Sequence, residues 1–379
     1  MRCFGLLLVL ALLGAVPPTT TTTPVVAQGR RLPCAAVTGP LYEAAVFETA
    51  ATPSDLAGAD ATLELRDCDL VDTVITVVRR AGDSTTTSQG TLAASSPHVH
   101  VLIHNVTLRS VDRNCSGLLL AMSANFTVVV DGGTRIHAAC SAGAAPVPAV
   151  VAAVGIRAPV NDTPARNIAV SVRGGSHLSA TNTRGRTALA AGMLCRSDTA
   201  SNVSIELLEG SNVTAVGLFE AAAGGIVVED TSTAASGVVM TALRLTANNG
   251  SVAAARATST SDTGGTAAAA CGVAAASAAR SRVVAVVGSV LHVTSGSVVV
   301  ARTAAKHSAA AAVGVAAGSY NAATATAHNS SMGSSHNSTV TATANGGGSG
   351  AAAVGVAAGS YNAAATATAH NSSMGSSHN

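Results

Sequence analysis

The chain has 379 residues and a formal net charge of only +2, with 11% charged residues. Hydrophobic residues make up 48%, yet aromatics only 2%, and Trp is absent. This excludes a globular core built around large rings, and the absence of a basic patch interleaved with aromatics argues against a nucleic-acid partner. The apolar content is mostly Ala and Val, which suits a narrow interior filled by small and β-branched side chains.

The first element in chain order is a secretory signal over 1–27. Arg2 gives the positive start, and Phe4 to Val16 form an apolar run too short to span a membrane as a helix. Cleavage is expected after Ala15 or Ala27, and an uncleaved anchor is the alternative. Beyond Cys3, the six remaining cysteines are Cys34, Cys68, Cys115, Cys140, Cys195 and Cys271. An even count in an exported chain points to disulfides, and proximity in sequence suggests Cys34 with Cys68 and Cys115 with Cys140. The absence of any Cys-x-x-Cys leaves a zinc or thioredoxin-type site without support.

Residues 28–100 carry much of the charge and lack the repeat described below. Short strands at Leu63–Arg66 and Val71–Val78, separated by Asp-rich turns, and an exposed Ser/Thr loop at Ser84–Ser96 fit an N-terminal cap. An open sheet stack needs such a cap to avoid edge-to-edge association.

From about residue 101 the chain is a degenerate repeat of about 40 residues. A glycine-led strand start reads Gly133-Thr-Arg-Ile-His-Ala138, Gly175-Ser-His-Leu-Ser-Ala180, Gly210-Ser-Asn-Val-Thr-Ala215, Gly296-Ser-Val-Val-Val-Ala301 and Asn337-Ser-Thr-Val-Thr-Ala342, with a weaker copy at Gly250-Ser251. Successive spacings are 42, 35, 40, 46 and 41 residues, by subtraction. Such a period marks a solenoid, whose units bury their apolar faces only against one another. Before each marker an Asn-led strand alternates apolar and polar residues, as at Asn125-Phe-Thr-Val-Val-Val130. After it comes an Ala-rich strand with a central Gly, as at Ala312-Val-Gly-Val315 and Ala353-Val-Gly-Val356. The 20 residues from Asn105 to Asn125 point to two coils of about 20 residues per repeat, although one coil per repeat is the other possibility. The expected fold over 101–379 is an all-β, right-handed parallel β-helix. Near-identical segments at Val313–Asn321 and Val354–Asn362 record a recent duplication, and the stop in mid-unit suggests a partial version of a longer polypeptide.

Ten Asn-x-Ser/Thr sequons occur. N-glycosylation is expected among Asn105, Asn114, Asn125, Asn202, Asn212, Asn249 and Asn337. A structural reading competes at Asn125, Asn167, Asn202 and Asn329, each eight residues before a marker, where stacked coils bend and an inward Asn ladder can form. His98, His100 and His104 share strand parity but lack nearby carboxylates, so a polar strand face is favoured over a metal site. Glu206, Glu209, Glu229 and Asp230 form the nearest approach to an acidic cluster, without aromatic walls. Neither catalytic residues nor cofactors are expected.

The Asn-Val-Thr-Val-like strands, Gly-Ser-x-Val-x-Ala turns and Ala-Val-Gly-Val segments resemble the Ala/Val-rich surface proteins of kinetoplastid protozoa. These include the dispersed gene family of trypanosomes and membrane-associated repeat proteins of their free-living relatives. The resemblance implies a surface β-helical glycoprotein and offers no catalytic residues. The resulting expectation is a non-enzymatic, secreted or cell-surface glycoprotein used in adhesion or as a coat, with a protein or glycan as its unknown surface ligand. Membrane association would then need an uncleaved signal or a missing C-terminal segment. The alternative is a polysaccharide-active β-helix enzyme, a lyase or hydrolase, which would need clustered carboxylates in a groove.

Overall fold

The computed structural model describes residues 30–32, 41–47, 61–80, 98–111, 115–121, 124–140, 149–157, 165–195, 199–228, 237–259, 265–277, 282–319, 321–335, 337–345, 348–360 and 365–377. The signal segment, the loop at 84–96, Cys34, Asn114, Glu229 and Asp230 lie outside them. The described residues are all-β, and their strands fall into two sheets, one of 20 strands and one of 13. Every pairing among them is parallel, as in His177–Asn182 on Asn212–Gly217 and Ala309–Ser319 on Gly350–Ser360. Parallel neighbours that far apart in sequence are coils stacked along one axis.

One coil illustrates the rest. Strand Ala165–Val172 leads through a turn into His177–Asn182, and both belong to the larger sheet. A bend brings the chain to Thr187–Ala190 and Gly192–Cys195 in the smaller sheet, and the next coil begins at Thr199. Strands of the larger sheet alternate buried and exposed residues, so one face meets water. Strands of the smaller sheet within the stack are buried on both faces, as in Ala309–Ser319, where every residue is buried, while the last, Gly350–Ser360, is partly exposed. One face of the smaller sheet packs against the larger sheet in the main core, and the other is buried in a second cluster made by the smaller sheet's own strands.

The register decides the number of coils per repeat. Arg135 pairs with His177, His177 with Asn212, Asn212 with Val252, Val252 with Val298, and Val298 with Thr339. These steps of 42, 35, 40, 46 and 41 residues equal the marker spacings, so each repeat is one coil. The half-repeat suggested by Asn105 and Asn125 does not hold, because those residues occupy different corners. Asn105 lies opposite Asp67 and donates from Nδ2 to its Oδ1 at 2.7 Å, whereas Asn125 accepts from Asn167. Both corners place a residue at positive φ, and Asn suits both, so composition alone does not tell them apart.

The stack also reaches N-terminal to residue 101. Ala61–Val71 pairs with Val99–Ser110, Arg30–Leu32 with Leu63–Leu65, and Leu41–Phe47 with Val74–Arg80. The described strands of 28–100 thus continue the same two sheets. One column runs through Leu32, Leu65, Ile103, Val130, Val172, Leu207, Ala247, Val293, Ser334 and Ser376. Nine steps of about 4.8 Å give the stack a height of about 43 Å.

The glycine-led marker is now explained. Gly132 with Gly133, Gly174 with Gly175, Glu209 with Gly210, Asn249 with Gly250 and Ser295 with Gly296 all have positive φ at both positions. That is the pattern of a type I′ turn, in which glycine avoids the Cβ penalty. The residue after each glycine is buried, and in four of the five turns its hydroxyl turns back to the carbonyl that opens the turn. Thr134 donates to Asp131 O at 2.6 Å, Ser176 to Arg173 O at 2.7 Å, Ser211 to Leu208 O at 2.6 Å and Ser251 to Asn248 O at 2.7 Å. The marker's Gly-Ser is thus a turn residue followed by an inward hydroxyl that satisfies a buried carbonyl.

The Ala-rich marker has a different cause. Gly155, Gly192, Gly225, Gly272, Gly314 and Gly355 stack in one column of the smaller sheet. Gly318 lies against Ser308 and Ala309, and a Cβ on it would stand 3.2 Å from Ala309 N. Ten extended residues would span roughly 33 Å, so this strand must fold back on itself near Gly314. A second apolar cluster fills the fold, with Ala309 and Ala311 on one arm and Ala316 on the other. In this coil the crease is filled by alanines, whereas an earlier coil fills it with Leu189 and Leu194.

Candidate functional site

The outward face of the larger sheet carries a set of neighbouring polar side chains. Glu206, Arg244, Thr246, Asn248, His292 and Thr294 line a trough of about 320 Å³. Past His292 it continues into a second hollow of about 360 Å³ with Ser331, Gly333, Ser335, Ser373 and Gly375 on its surface. The register builds the trough: Glu206, Thr246, His292, Gly333 and Gly375 form one outward column, and the side chains disappear where glycine takes over.

Most of the polar groups in it are already engaged. Arg244 Nε donates to Glu206 Oε1 at 2.6 Å. His292 Nε2 lies 2.7 Å from Ser331 Oγ. Burial, and then the positive charge of Arg244, lower the His292 pKa from its ordinary value, which favours the neutral ring. A neutral imidazole beside a hydroxyl could act as an acid–base pair. However, Glu206 is the one carboxylate among the described lining residues, and it is paired with a cation. This arrangement can hydrogen-bond a hydroxylated ligand, but it does not provide the two carboxylates of glycoside hydrolysis.

The other acids serve the stack. Glu209 Oε2 accepts from Gly174 N at 3.0 Å in the turn one coil below, and Asp131 pairs with Arg173 at 3.0 Å across two coils. Glu220, which the sequence reading did not single out, is buried and accepts from Thr187 Oγ1 at 2.5 Å, with Arg186 at 3.6 Å. The presence of a carboxylate where neighbouring coils carry Thr187 and Ala267 was its only sequence signal.

Of the histidines of 98–104, two keep together and the third lies elsewhere. His98 Nε2 lies 2.8 Å from Thr127 Oγ1, the rings of His98 and His100 are 4.7 Å apart, and His104 lies over Gly132. Among the described residues no group of three His, Cys, Asp or Glu could hold a metal ion.

Among the described residues the asparagines singled out as sequons or ladder candidates take different positions. Asn125, Asn167 and Asn202 form a ladder, with Asn167 Nδ2 donating to Asn125 Oδ1 at 2.9 Å and Asn202 Nδ2 to Asn167 Oδ1 at 3.0 Å. Asn125 is buried within it. Asn249 and Asn337 are exposed corner residues at positive φ, Asn105 is exposed but bonded to Asp67, and Asn212 is half-buried at a strand start.

Cys115 and Cys140 form a disulfide with their Cα atoms 4.8 Å apart, and Cys68 is also disulfide-bonded. Cys195 and Cys271 are buried thiols, so the six cysteines are not all paired. They lie two coils apart, about 10 Å along the stack, beyond disulfide reach. Burial pushes the Cys271 pKa up to about 12.

Comparisons of the chain with family models, with curated proteins and with solved structures return no match. Among the described residues no helix is long and apolar enough to cross a membrane.

Proposed function

We propose that this chain is a non-enzymatic, secreted or cell-surface repeat glycoprotein. In this reading its stack is a right-handed parallel β-helix closed at the N-terminal end by the region 28–100, and its role is adhesion or surface coating. The carrying observation is the exterior of the larger sheet. Several of its charges are tied between neighbouring coils, as in Asp131–Arg173 and Glu206–Arg244. Exposed sequon residues Asn249 and Asn337 stand at its corners. The texture it shares with kinetoplastid surface proteins supports the same reading.

Production in a eukaryotic secretory host tests it. The expected product reaches the medium with a mass above that of the polypeptide, and enzymatic removal of N-glycans abolishes most of the excess. Peptide mapping is expected to find glycans at Asn249 and Asn337 before Asn125. An unglycosylated product retained inside the cell would overturn the proposal.

A further inference from the structure

The carboxylates are unevenly distributed along the chain. The last in sequence is Asp262, which lies outside the described residues; residues 263–379 contain none of the 19 Asp and Glu but four of the 21 Lys and Arg. The C-terminal coils are therefore cationic, while the near-neutral total hides it.

Two arginines meet where this stretch begins. Arg256 and Arg302 are direct partners in strands Val252–Ala257 and Val298–Ala304. Both are exposed and flanked by buried residues, so both point outward from the same face. Adjacent parallel strands put them about 4.8 Å apart. Like charges directly opposite one another destabilise a sheet. Among the described residues neither guanidinium has a hydrogen bond or ion pair to relieve the repulsion. Their outward neighbours are Val216 and Thr343 across the strands and Ala254 and Val300 along them, all uncharged. Other cations on this exterior, such as Arg173 and Arg244, face a carboxylate on the next coil.

We propose that Arg256 and Arg302 together bind the sulfate groups of a sulfated polysaccharide. Each guanidinium offers a planar fork that matches an oxyanion, and two forks one coil apart supply the counter-charge that the protein itself withholds. The neighbouring side chains Val216, Thr343, Ala254 and Val300 are small and uncharged, which leaves room for an extended chain to pass over both arginines. None of these four neighbours is an aromatic ring on which a base could stack, which disfavours single-stranded nucleic acid as the polyanion. This inference does not depend on the chain being a surface glycoprotein, since it concerns binding by the purified protein.

Isothermal titration of the full chain with a heparin-derived octasaccharide tests it. The comparison ligands are the desulfated octasaccharide, inorganic sulfate and an oligothymidylate of matched charge. The expected result is binding of the sulfated octasaccharide alone, weakened by added salt. The Arg256→Gln/Arg302→Gln variant should lose about tenfold or more in affinity. Its urea midpoint should be unchanged or raised, because a repulsion has been removed. The Arg109→Gln/Arg135→Gln variant removes the same charge from exposed strand positions nearer the N-terminus and should bind as the parent does. Failure to bind the sulfated octasaccharide overturns the proposal, as does equal weakening in both variants. Equal binding of oligothymidylate overturns the choice of ligand.

Discussion

Ala242 sits at φ 53, where an alanine pays for its Cβ. It belongs to the corner column Asn125, Asn167, Asn202, Ala242, Gly288, Asn329 and Asn371, and all seven have positive φ. The left-handed region costs an ordinary residue about 1–2 kcal/mol, whereas Asn tolerates it. An Asn at 242 would also extend the ladder, its Nδ2 facing Asn202 Oδ1 as Asn202 faces Asn167. Ala242→Asn is therefore expected to raise stability by about 1 kcal/mol, read as a higher urea midpoint at unchanged slope. A lowered midpoint would show that this corner is set by something other than backbone conformation. Half of the column was legible, because the asparagines recur eight residues before each marker. Ala242 and Gly288 were not, since the conformation that unites the column is satisfied by unlike side chains. The buried hydroxyls of Ser176, Ser211 and Ser251 were visible as letters of the marker, but their inward direction depends on the turn that precedes them.

At the scale of the element, the strands of the larger sheet could be read directly because one face meets water and the residues alternate. The strands of the smaller sheet lack that alternation, since burial on both faces removes the polar half of the pattern. The sequence marks their glycine but not the fold-back, which appears only when Gly318 is found beside Ser308. Gly314 lies at that fold, and a Cβ on it would run into the Gly355 carbonyl of the next coil. Its side of the strand faces the crease between the two arms rather than the bore shared with the larger sheet. Gly314→Val is expected to cost at least about 1–3 kcal/mol, because a clash against backbone cannot be relieved by a rotamer change. Gly375, in the larger sheet, has nothing within 4 Å of its Cβ position, and Gly375→Ala should stay within about 0.5 kcal/mol of the parent. Urea unfolding of the two variants compares them directly. Equal midpoints would mean that the arms part easily and that close approach is not why glycine stands there.

For the molecule as a whole, the repeat spacing predicted the register of the stacked coils, while the number of coils per repeat had to come from the pairing itself. A solenoid's stability is close to a sum over coils and their interfaces, so a drift in side-chain size along the axis becomes a drift in local stability. The core has such a drift. Buried leucine and isoleucine recur as far as Leu291, whereas beyond it Met332 is the one buried apolar side chain larger than valine among the described residues. One inward column reads Phe126, Ile168, Val203, Leu243, Ser289, Ser330 and Ser372, passing from an aromatic ring to hydroxyls. The serines keep their hydrogen bonds: Ser289 Oγ accepts from Leu243 N at 3.0 Å, and Ser330 Oγ from Ser289 N at 3.2 Å. They do not replace the lost apolar burial, which is worth about 0.8 kcal/mol for each methylene. Hydrogen exchange is therefore expected to find the strand amides of 282–335 less protected than those of 165–207. Both stretches have coils on either side, so fraying at a chain end does not confuse the comparison. Equal protection across them would mean that the stack opens only as one cooperative unit, and that coupling between coils outweighs the thinning of the core.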